Sequence, residues 1–221
     1  MKQKPEIILA LDVNNEKQAL RFVRLLYPKI TIFKVGLELY TACGPRIIKD
    51  IRKIGADVFL DLKFFDIPHT VGNALRCAVG HKIKMLTLHI QGGETMLKAA
   101  VAAAKQEAKQ LKVKQPLLIG VTVLTSQEAK PREVLRLAKL GLRSGLDGVV
   151  CSVREAALLR RQIRQKFMIV TPGIRLAPVG ADDQKRIATP LAAAKAGSNF
   201  LVIGRPILEA KDPLKAVEEL V

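Results

Sequence analysis

The 221-residue sequence contains no tryptophan, and aromatic residues make up only 4% of it. Modules that bind single-stranded nucleic acid stack the bases on aromatic side chains, so this scarcity argues against that class of protein. Hydrophobic runs of the 18 to 20 or so residues that a membrane helix requires are also missing. The run near the N-terminus, Ile7 to Leu11, is too short for the core of a signal peptide. We therefore expect a cytoplasmic protein with neither a nucleic acid nor a membrane as its partner.

Cysteine is scarce as well. Cys43, Cys77 and Cys151 lie far apart in the sequence and form no CxxC pair. An odd number of widely spaced cysteines indicates reduced thiols rather than a disulfide scaffold or a zinc site. This pattern agrees with a cytoplasmic location.

Acidic residues are few, with 20 Asp and Glu against 37 Lys and Arg, which gives a formal net charge of +17. Such a charge can reflect a nucleic-acid partner, an anionic substrate or only a basic surface. Much of the excess lies in residues 98–166, which contain fifteen basic and five acidic residues. The charge is therefore expected mainly on the surface of helices in that stretch.

Eight apolar segments of strand length recur along the chain and alternate with segments of helical composition. Most are almost continuously hydrophobic, as strands buried on both faces of a parallel sheet are. The predicted strands are Ile7–Val13, Thr31–Val35, Val58–Leu62, Met85–Ile90, Leu117–Val123, Gly148–Val153, Phe167–Thr171 and Phe200–Ile203. The clearest predicted helices are Glu16–Leu26, Pro45–Ile54, Glu94–Leu111, Pro131–Leu142, Arg154–Gln165, Thr189–Ala196 and Pro213–Leu220.

This alternation predicts an α/β protein that folds as a single (β/α)8 TIM barrel over residues 1–221. A doubly wound open sheet alternates in the same way. That fold usually carries a glycine-rich dinucleotide loop after its first strand, whereas this chain has Leu11-Asp12-Val13-Asn14 there. The barrel is the preferred interpretation.

Charged and polar residues, with one glycine, lie near the carboxyl ends of several predicted strands or just after them. The catalytic groups of TIM barrels lie at the carboxyl ends of the strands, so these residues form one candidate site. They are Asp12, Lys34, Asp61, Lys63, Asp66, Thr125, Ser126, Arg175, Gly204 and Arg205.

The segment Asp61-Leu62-Lys63-Phe64-Phe65-Asp66-Ile67-Pro68 is the most informative part of this set. In a strand Asp61 and Lys63 point the same way, and Lys34 on the neighbouring strand is within reach of both. A fixed ammonium in such an alternating array can stabilise a developing carbanion and then donate a proton to it. The alternative is a lattice of ion pairs that only closes the bottom of the barrel or a subunit contact.

The same signature, with several other segments in order, resembles the orotidine 5'-phosphate decarboxylase family over essentially the whole chain. The other segments are Leu11–Val13, Phe33–Gly36, Val121–Ser126, Thr171–Arg175, Asp183-Gln184 and Gly204–Pro206. The resemblance implies a cytoplasmic lyase that converts orotidine 5'-monophosphate to uridine 5'-monophosphate, the last step of de novo pyrimidine nucleotide synthesis. It implies no metal and no organic cofactor.

The resemblance also implies roles for individual residues. Lys63 would protonate C6 of the pyrimidine after carbon dioxide leaves, and Asp61 would lie beside the substrate carboxylate and hold Lys63. Lys34 would complete the network and contact the ribose. Asp66 and Thr70 would reach across the interface of a homodimer into the partner's site.

The remaining implied contacts bind the substrate. Asp12 would hydrogen-bond a ribose hydroxyl, and Thr125 or Ser126 would bind the edge of the pyrimidine. The phosphate would be held by Arg175, Gln184, Gly204 and Arg205, in agreement with the phosphate site that barrel loops seven and eight commonly form.

The sequence departs from the family pattern at several places. His69 stands where asparagine is usual before the threonine, and the loop over residues 176–182 differs from the usual glycine-rich form. A magnesium-dependent sugar-phosphate decarboxylase or aldolase of the same barrel superfamily remains an alternative. Lys34 argues against it, because a metal site would require a carboxylate at that position.

Overall fold

The structure, a computed structural model, describes residues 4–128, 130–175 and 188–220. Eight parallel strands close into a barrel in which β1 pairs with β2 on one side and with β8 on the other. The strands are β1 Glu6–Ala10, β2 Ile32–Gly36, β3 Asp57–Phe64, β4 Met85–His89, β5 Leu117–Val121, β6 Gly148–Val150, β7 Met168–Thr171 and β8 Phe200–Ile203. The predicted TIM barrel is confirmed, and the pairing of β1 with β8 excludes an open sheet.

Helices surround the barrel and connect successive strands. Their bounds are α1 Glu16–Leu26, α2 Leu37–Cys43, α3 Arg46–Lys53, α4 Pro68–Gly80, α5 Gly93–Gln110, α6 Pro131–Arg143, α7 Val153–Gln162, α8 Pro190–Ala196, α9 Arg205–Leu208 and α10 Pro213–Leu220. Local signals start several of them. The side chain of Asn15 caps α1 by accepting from Gln18 N–H, and Ser152 and Glu155 form a reciprocal capping box at α7.

Helix α4 connects β3 to β4, as the alternation predicts, but its segment is not among the clearest predicted helices. It contains Gly72 and the β-branched Thr70 and Val71, which have low intrinsic helix propensity. The helix depends instead on packing against α5, where a Cβ at Gly72 would lie 3.8 Å from the Cβ of Ala103. Most helical stability in proteins comes from such tertiary contacts, so propensity alone underestimates α4.

The barrel interior is filled by a layer of apolar side chains, one from each of seven strands. They are Ile8, Ile32, Phe59, Met85, Ile119, Val170 and Phe200. Because side chains alternate along a strand, the residues two positions further on also point inward, one layer closer to the carboxyl ends. On β2, β3 and β4 these residues are Lys34, Asp61 and Thr87. The apolar layer therefore forms the floor of a polar site.

The surface carries the excess positive charge. Of the fifteen basic residues in 98–166, all except Arg160 are exposed, as expected from the sequence. All three cysteines are free thiols. Within the described ranges no helix has the length and hydropathy required to cross a membrane.

Arg160 is the half-buried exception, and it joins three elements at the amino-terminal end of the barrel. From α7 its guanidinium donates to the carbonyl oxygens of Phe167 at 2.9 Å and Gly197 at 2.9 and 3.0 Å. It also donates to Asn199 Oδ1 at 2.7 Å, and it lies 4.4 Å from the centroid of the Phe167 ring. These contacts connect α7 to the starts of β7 and β8.

We predict that Arg160→Ala lowers the free energy of unfolding by about 2 to 4 kcal/mol, because partly buried carbonyl groups lose a charged donor. The neighbouring exposed Arg161 supplies a matched control, and Arg161→Ala should change this free energy by no more than about 0.5 kcal/mol. Urea unfolding followed by circular dichroism measures both. Equal effects of the two substitutions would contradict the assigned role of Arg160.

Candidate active site

Lys34 lies at the centre of the polar layer. It is buried in β2, opposite Ala10 of β1 and Phe59 of β3. Its Nζ is 3.0 Å from Asp12 Oδ1 and 3.9 Å from Asp61 Oδ2. The first contact is a hydrogen-bonded ion pair, whereas the second is electrostatic only. Lys34 thus joins the carboxylates that follow β1 and lie within β3.

Lys63 extends the same array. Its Nζ donates to Asp61 Oδ1 at 3.0 Å. The two side chains meet even though β3 is not a regular strand here, since its register with β4 shifts between Leu60 and Phe64. Lys63 itself has a φ of 51°, in the left-handed region that residues with a Cβ rarely adopt. The prediction that the pair shares one face of a regular strand was therefore wrong about the backbone.

The four charged groups form a continuous chain of alternating sign, Asp12–Lys34–Asp61–Lys63. Side-chain exposure rises from 11% at Lys34 and 14% at Asp61 to 31% at Lys63 and 54% at Asp12. Partly buried charges are costly unless they are paired, and here each has an oppositely charged neighbour. The array lies at the carboxyl ends of the strands, so the alternative of a lattice at the bottom of the barrel is wrong.

Thr87 is a site residue that sequence reasoning missed. It is fully buried on β4, and its Oγ1 donates to Asp61 Oδ1 at 2.8 Å and accepts from the Lys63 backbone N–H at 2.9 Å. The available signal was its position: a polar residue two places after Met85, on the inward face of an apolar strand.

One of the predicted phosphate ligands, Gly204, lies beside Asp12. Gly204 precedes α9, and a Cβ there would come within 3.2 Å of Asp12 Oδ2. Arg205 is half-buried, whereas Arg175 is buried and donates from Nη1 to the carbonyl oxygen of Ile174 at 3.2 Å. Gln184 and the loop over 176–182 lie outside the described residues.

The predicted pyrimidine contacts follow β5. Thr125 is half-buried and Ser126 is exposed, in a turn in which Gln127 N–H donates to the carbonyl oxygen of Leu124 at 2.9 Å. The structure places this turn after the strand next to β4, and both hydroxyl groups remain candidates.

The residues predicted to cross an interface are on the surface. Asp66 and Thr70 are exposed, and Asp66 Oδ1 accepts from Ile67 N–H at 2.6 Å. Phe65 and Ile67, which flank Asp66, and Leu37, which follows β2, have apolar side chains that are 59% to 65% exposed. An apolar group at the rim of a polar site is typical of a surface that another protein covers.

His89 lies two positions after Thr87 on β4, and its ring centroid is 5.6 Å from that of Phe65. Burial, and secondarily the positive charge of Lys63, lower the pKa of His89. Its Nδ1 is buried and has no hydrogen-bond partner within the described part of the chain. A neutral imidazole next to the ammonium adds no charge to the array.

A closed parallel barrel with a charged array at the carboxyl ends of its strands defines a (β/α)8-barrel enzyme. The chain belongs to the orotidine 5'-phosphate decarboxylase / HUMPS family, whose family model matches residues 5–220. This finding confirms the family resemblance that the sequence motifs indicated.

Individual relatives agree with this assignment. The chain is 46% identical over 99% of its length to the orotidine 5'-phosphate decarboxylases of Neisseria meningitidis and Coxiella burnetii, of which it covers 92% and 96%. The crystal structure of orotidine 5'-phosphate decarboxylase from Lactobacillus acidophilus matches with a TM-score of 0.85 and 36% identity, covering 99% of this chain and 97% of that one.

Gly36 offers a way to disturb the array without disturbing the barrel. Its backbone is extended, with φ at −94°, so alanine is sterically allowed. A Cβ there would lie 2.8 Å from Lys34 Nζ and 3.7 Å from Asp12 Oδ1. The Lys34 ammonium would have to move away from its place beside Asp12.

We predict that Gly36→Ala breaks the Lys34–Asp12 hydrogen bond and lowers the free energy of unfolding by about 1 to 3 kcal/mol, because the buried ammonium loses its hydrogen-bonded partner. A crystal structure of the variant and urea unfolding measure the two effects. Gly80→Ala is the control, because a Cβ there has only an ordinary contact with Leu111 at 4.0 Å. A Gly36→Ala structure with Lys34 unmoved would contradict the prediction.

Proposed function

We propose that this chain decarboxylates orotidine 5'-monophosphate to uridine 5'-monophosphate with its own side chains, without a metal ion or an organic cofactor. The observation that carries the proposal is the Asp12–Lys34–Asp61–Lys63 array at the mouth of the barrel. Membership of the family and the 46% identity to enzymes with this name support the choice of substrate.

The reaction requires stabilisation of a localised charge. When the bond from C6 to the carboxylate breaks, carbon dioxide leaves and the electron pair stays on C6 in the plane of the ring, where the π system cannot delocalise it. An ammonium held close to C6 stabilises this pair and then donates a proton to it. Lys63, partly exposed and held by Asp61, is the proposed donor.

Asp61 and Lys34 are proposed to keep that ammonium in place. Asp61 Oδ1 accepts from Lys63 Nζ, while Oδ2 faces Lys34. The ion pairs hold these side chains relative to one another, and a charge that is already positioned needs little rearrangement during the reaction. Asp61 would lie beside the substrate carboxylate.

The proposed substrate pose extends from the array to the end of β8. Asp12 and Lys34 bind the ribose, and the phosphate lies at Gly204 and Arg205 with Arg175 and Gln184 as further ligands. The closeness of Gly204 to Asp12 supports this pose, since the ribose and the phosphate are adjacent in a nucleotide. Thr125 or Ser126 binds the edge of the pyrimidine. Phosphate binding would supply part of the energy that lowers the barrier.

A magnesium-dependent sugar-phosphate enzyme is less well supported. In such an enzyme the metal ion would be held by carboxylates at this end of the barrel. Here the ammonium of Lys34 lies between Asp12 and Asp61, 3.0 and 3.9 Å from their oxygens, where a divalent cation would be repelled.

The proposed enzyme is a cytoplasmic protein that has neither a nucleic acid nor a membrane as partner.

A homodimer is part of the proposal, with Asp66 and Thr70 reaching the partner's site. Both residues are exposed, and Leu37, Phe65 and Ile67 expose apolar surface next to them. Covering that surface with a second copy would bury the apolar groups and bring a further carboxylate to each array.

We predict that Lys63→Ala lowers kcat/KM for orotidine 5'-monophosphate by about a thousandfold or more, because the proton donor and the stabilising charge are lost together. Lys105→Ala, at an exposed position on α5, is the control and should leave kcat/KM unchanged. The loss of absorbance on decarboxylation measures both rates, with EDTA present throughout. Turnover retained in Lys63→Ala, or activity of the unmodified protein abolished by EDTA, would overturn the proposed mechanism.

The shared site predicts complementation. Lys63→Ala and Asp66→Ala should each be inactive alone, but a hybrid dimer contains one site with both residues intact. After full exchange of an equal mixture, about a quarter of the wild-type activity should return. Exchange is followed by native mass spectrometry. Hybrid dimers without activity would show that Asp66 does not act across the interface.

A further inference from the structure

The conformation of Lys63 requires an explanation that the array alone does not provide. Between the pairs Leu60–Leu86 and Phe64–Leu88, β3 contains three residues while β4 contains only Thr87. This is a bulge that removes the regular backbone partners of the extra residues. Inside it, Lys63 adopts a φ of 51°. A side chain with a Cβ keeps such a conformation only when its surroundings impose it.

Thr87 is the residue on the facing strand that meets this bulge. Its Oγ1 lies 2.9 Å from the Lys63 backbone nitrogen, so the hydroxyl oxygen takes the place of a ladder carbonyl. The same Oγ1 lies 2.8 Å from Asp61 Oδ1. Because the backbone N–H can only donate and the ionised carboxylate can only accept, the hydroxyl proton must point to Asp61.

One oxygen atom therefore holds both members of the Asp61–Lys63 pair. It holds the backbone of Lys63 and orients the Asp61 oxygen to which Lys63 Nζ donates at 3.0 Å. Thr87 is fully buried, so water does not compete for either hydrogen bond. With both Oδ1 contacts made, the other carboxylate oxygen of Asp61 is directed to Lys34.

We propose that Thr87 is a positioning residue of the reaction: its hydroxyl fixes the bulge of β3 so that the Lys63 ammonium points at the reacting carbon. The proposal rests on the proposed decarboxylase function. Thr87 acts through Asp61 and Lys63 and makes no contact with the substrate itself. Its loss should therefore affect the chemical step more than substrate binding, which is proposed to depend chiefly on Asp12, Lys34 and the groups that follow β5, β7 and β8.

The test compares three variants with the unmodified protein. Thr87→Val keeps the shape and removes the hydroxyl, and Thr87→Ser keeps the hydroxyl. Thr171→Val removes the hydroxyl of a threonine that is equally buried and is 2.7 Å from the Ser198 hydroxyl. Thr171 follows the inward-facing Val170 and so points away from the barrel interior.

We expect Thr87→Val to lower kcat by about 10- to 100-fold while KM changes by less than about threefold, since small misplacements of a reacting group have effects of this size. Thr87→Ser should retain kcat within about threefold, and Thr171→Val should keep both constants. A merely structural role would lower stability in both valine variants and leave kcat per folded molecule intact. That result would overturn the proposal.

A crystal structure of Thr87→Val gives a readout that does not depend on activity. Lys63 should leave the left-handed region, or its Nζ should separate from Asp61 Oδ1; an unchanged bulge and ion pair would refute the positioning role. If the unmodified protein fails to decarboxylate orotidine 5'-monophosphate, the proposed function fails, while this structural comparison still tests Thr87. Should the valine variant fail to fold, Thr87→Cys replaces it under the same criteria, because a thiol is a much weaker hydrogen-bonding group.

Discussion

The ion pairs around Asp61 are the interaction on which the rest of the site depends. Its two carboxylate oxygens lie between two ammonium groups, with Lys63 Nζ at 3.0 Å and Lys34 Nζ at 3.9 Å. All three side chains are at least partly buried above an apolar floor, so none of these charges would be tolerated alone. Without Asp61, the two lysine ammonium groups would therefore repel each other at the mouth of the barrel. Their positions are set by this shared anion, and a change at any one of the three alters the other two.

The barrel provides this arrangement through its layering. One set of inward-facing residues, which includes Ile32, Phe59 and Met85, closes the interior. The next set, two positions further on, supplies Lys34, Asp61 and Thr87. A regular continuation of β3 would place Lys63 in the layer above. The bulge that ends at Phe64 instead changes the direction of the backbone at Lys63. The backbone strain is therefore located at Lys63, the residue whose side chain extends the array.

These features differ in how far the sequence predicts them. The hydrophobic segments and their alternation with helical segments were sufficient to predict the eight strands and their order. They also predicted that Asp12, Lys34 and Asp61 cluster at the carboxyl ends of the strands. The alternation implies a helix at α4, but the bounds of α4 were not predicted, because its stability comes from contacts with α5 rather than from propensity. The bulge was missed for a similar reason: it is a property of two paired strands, and no local pattern near Lys63 marks it. The contact of Thr87 with the array can be predicted from the alternation of inward-facing residues along β4 only when the register between β3 and β4 is known.

The charges around the array and the charges on the outer surface have different effects on a substrate. Around the array, positive and negative groups nearly balance, so specificity depends on where individual charges lie rather than on their sum. The large positive excess lies on exposed helix faces, chiefly within residues 98–166. Exposed charges are screened over roughly 8 to 10 Å at physiological salt, so these residues can accelerate the approach of an anionic nucleotide but cannot distinguish one nucleotide from another. A rise in salt should therefore slow association while leaving the proposed chemical step at Lys63 unchanged, because the ion pairs of the array are short and partly buried.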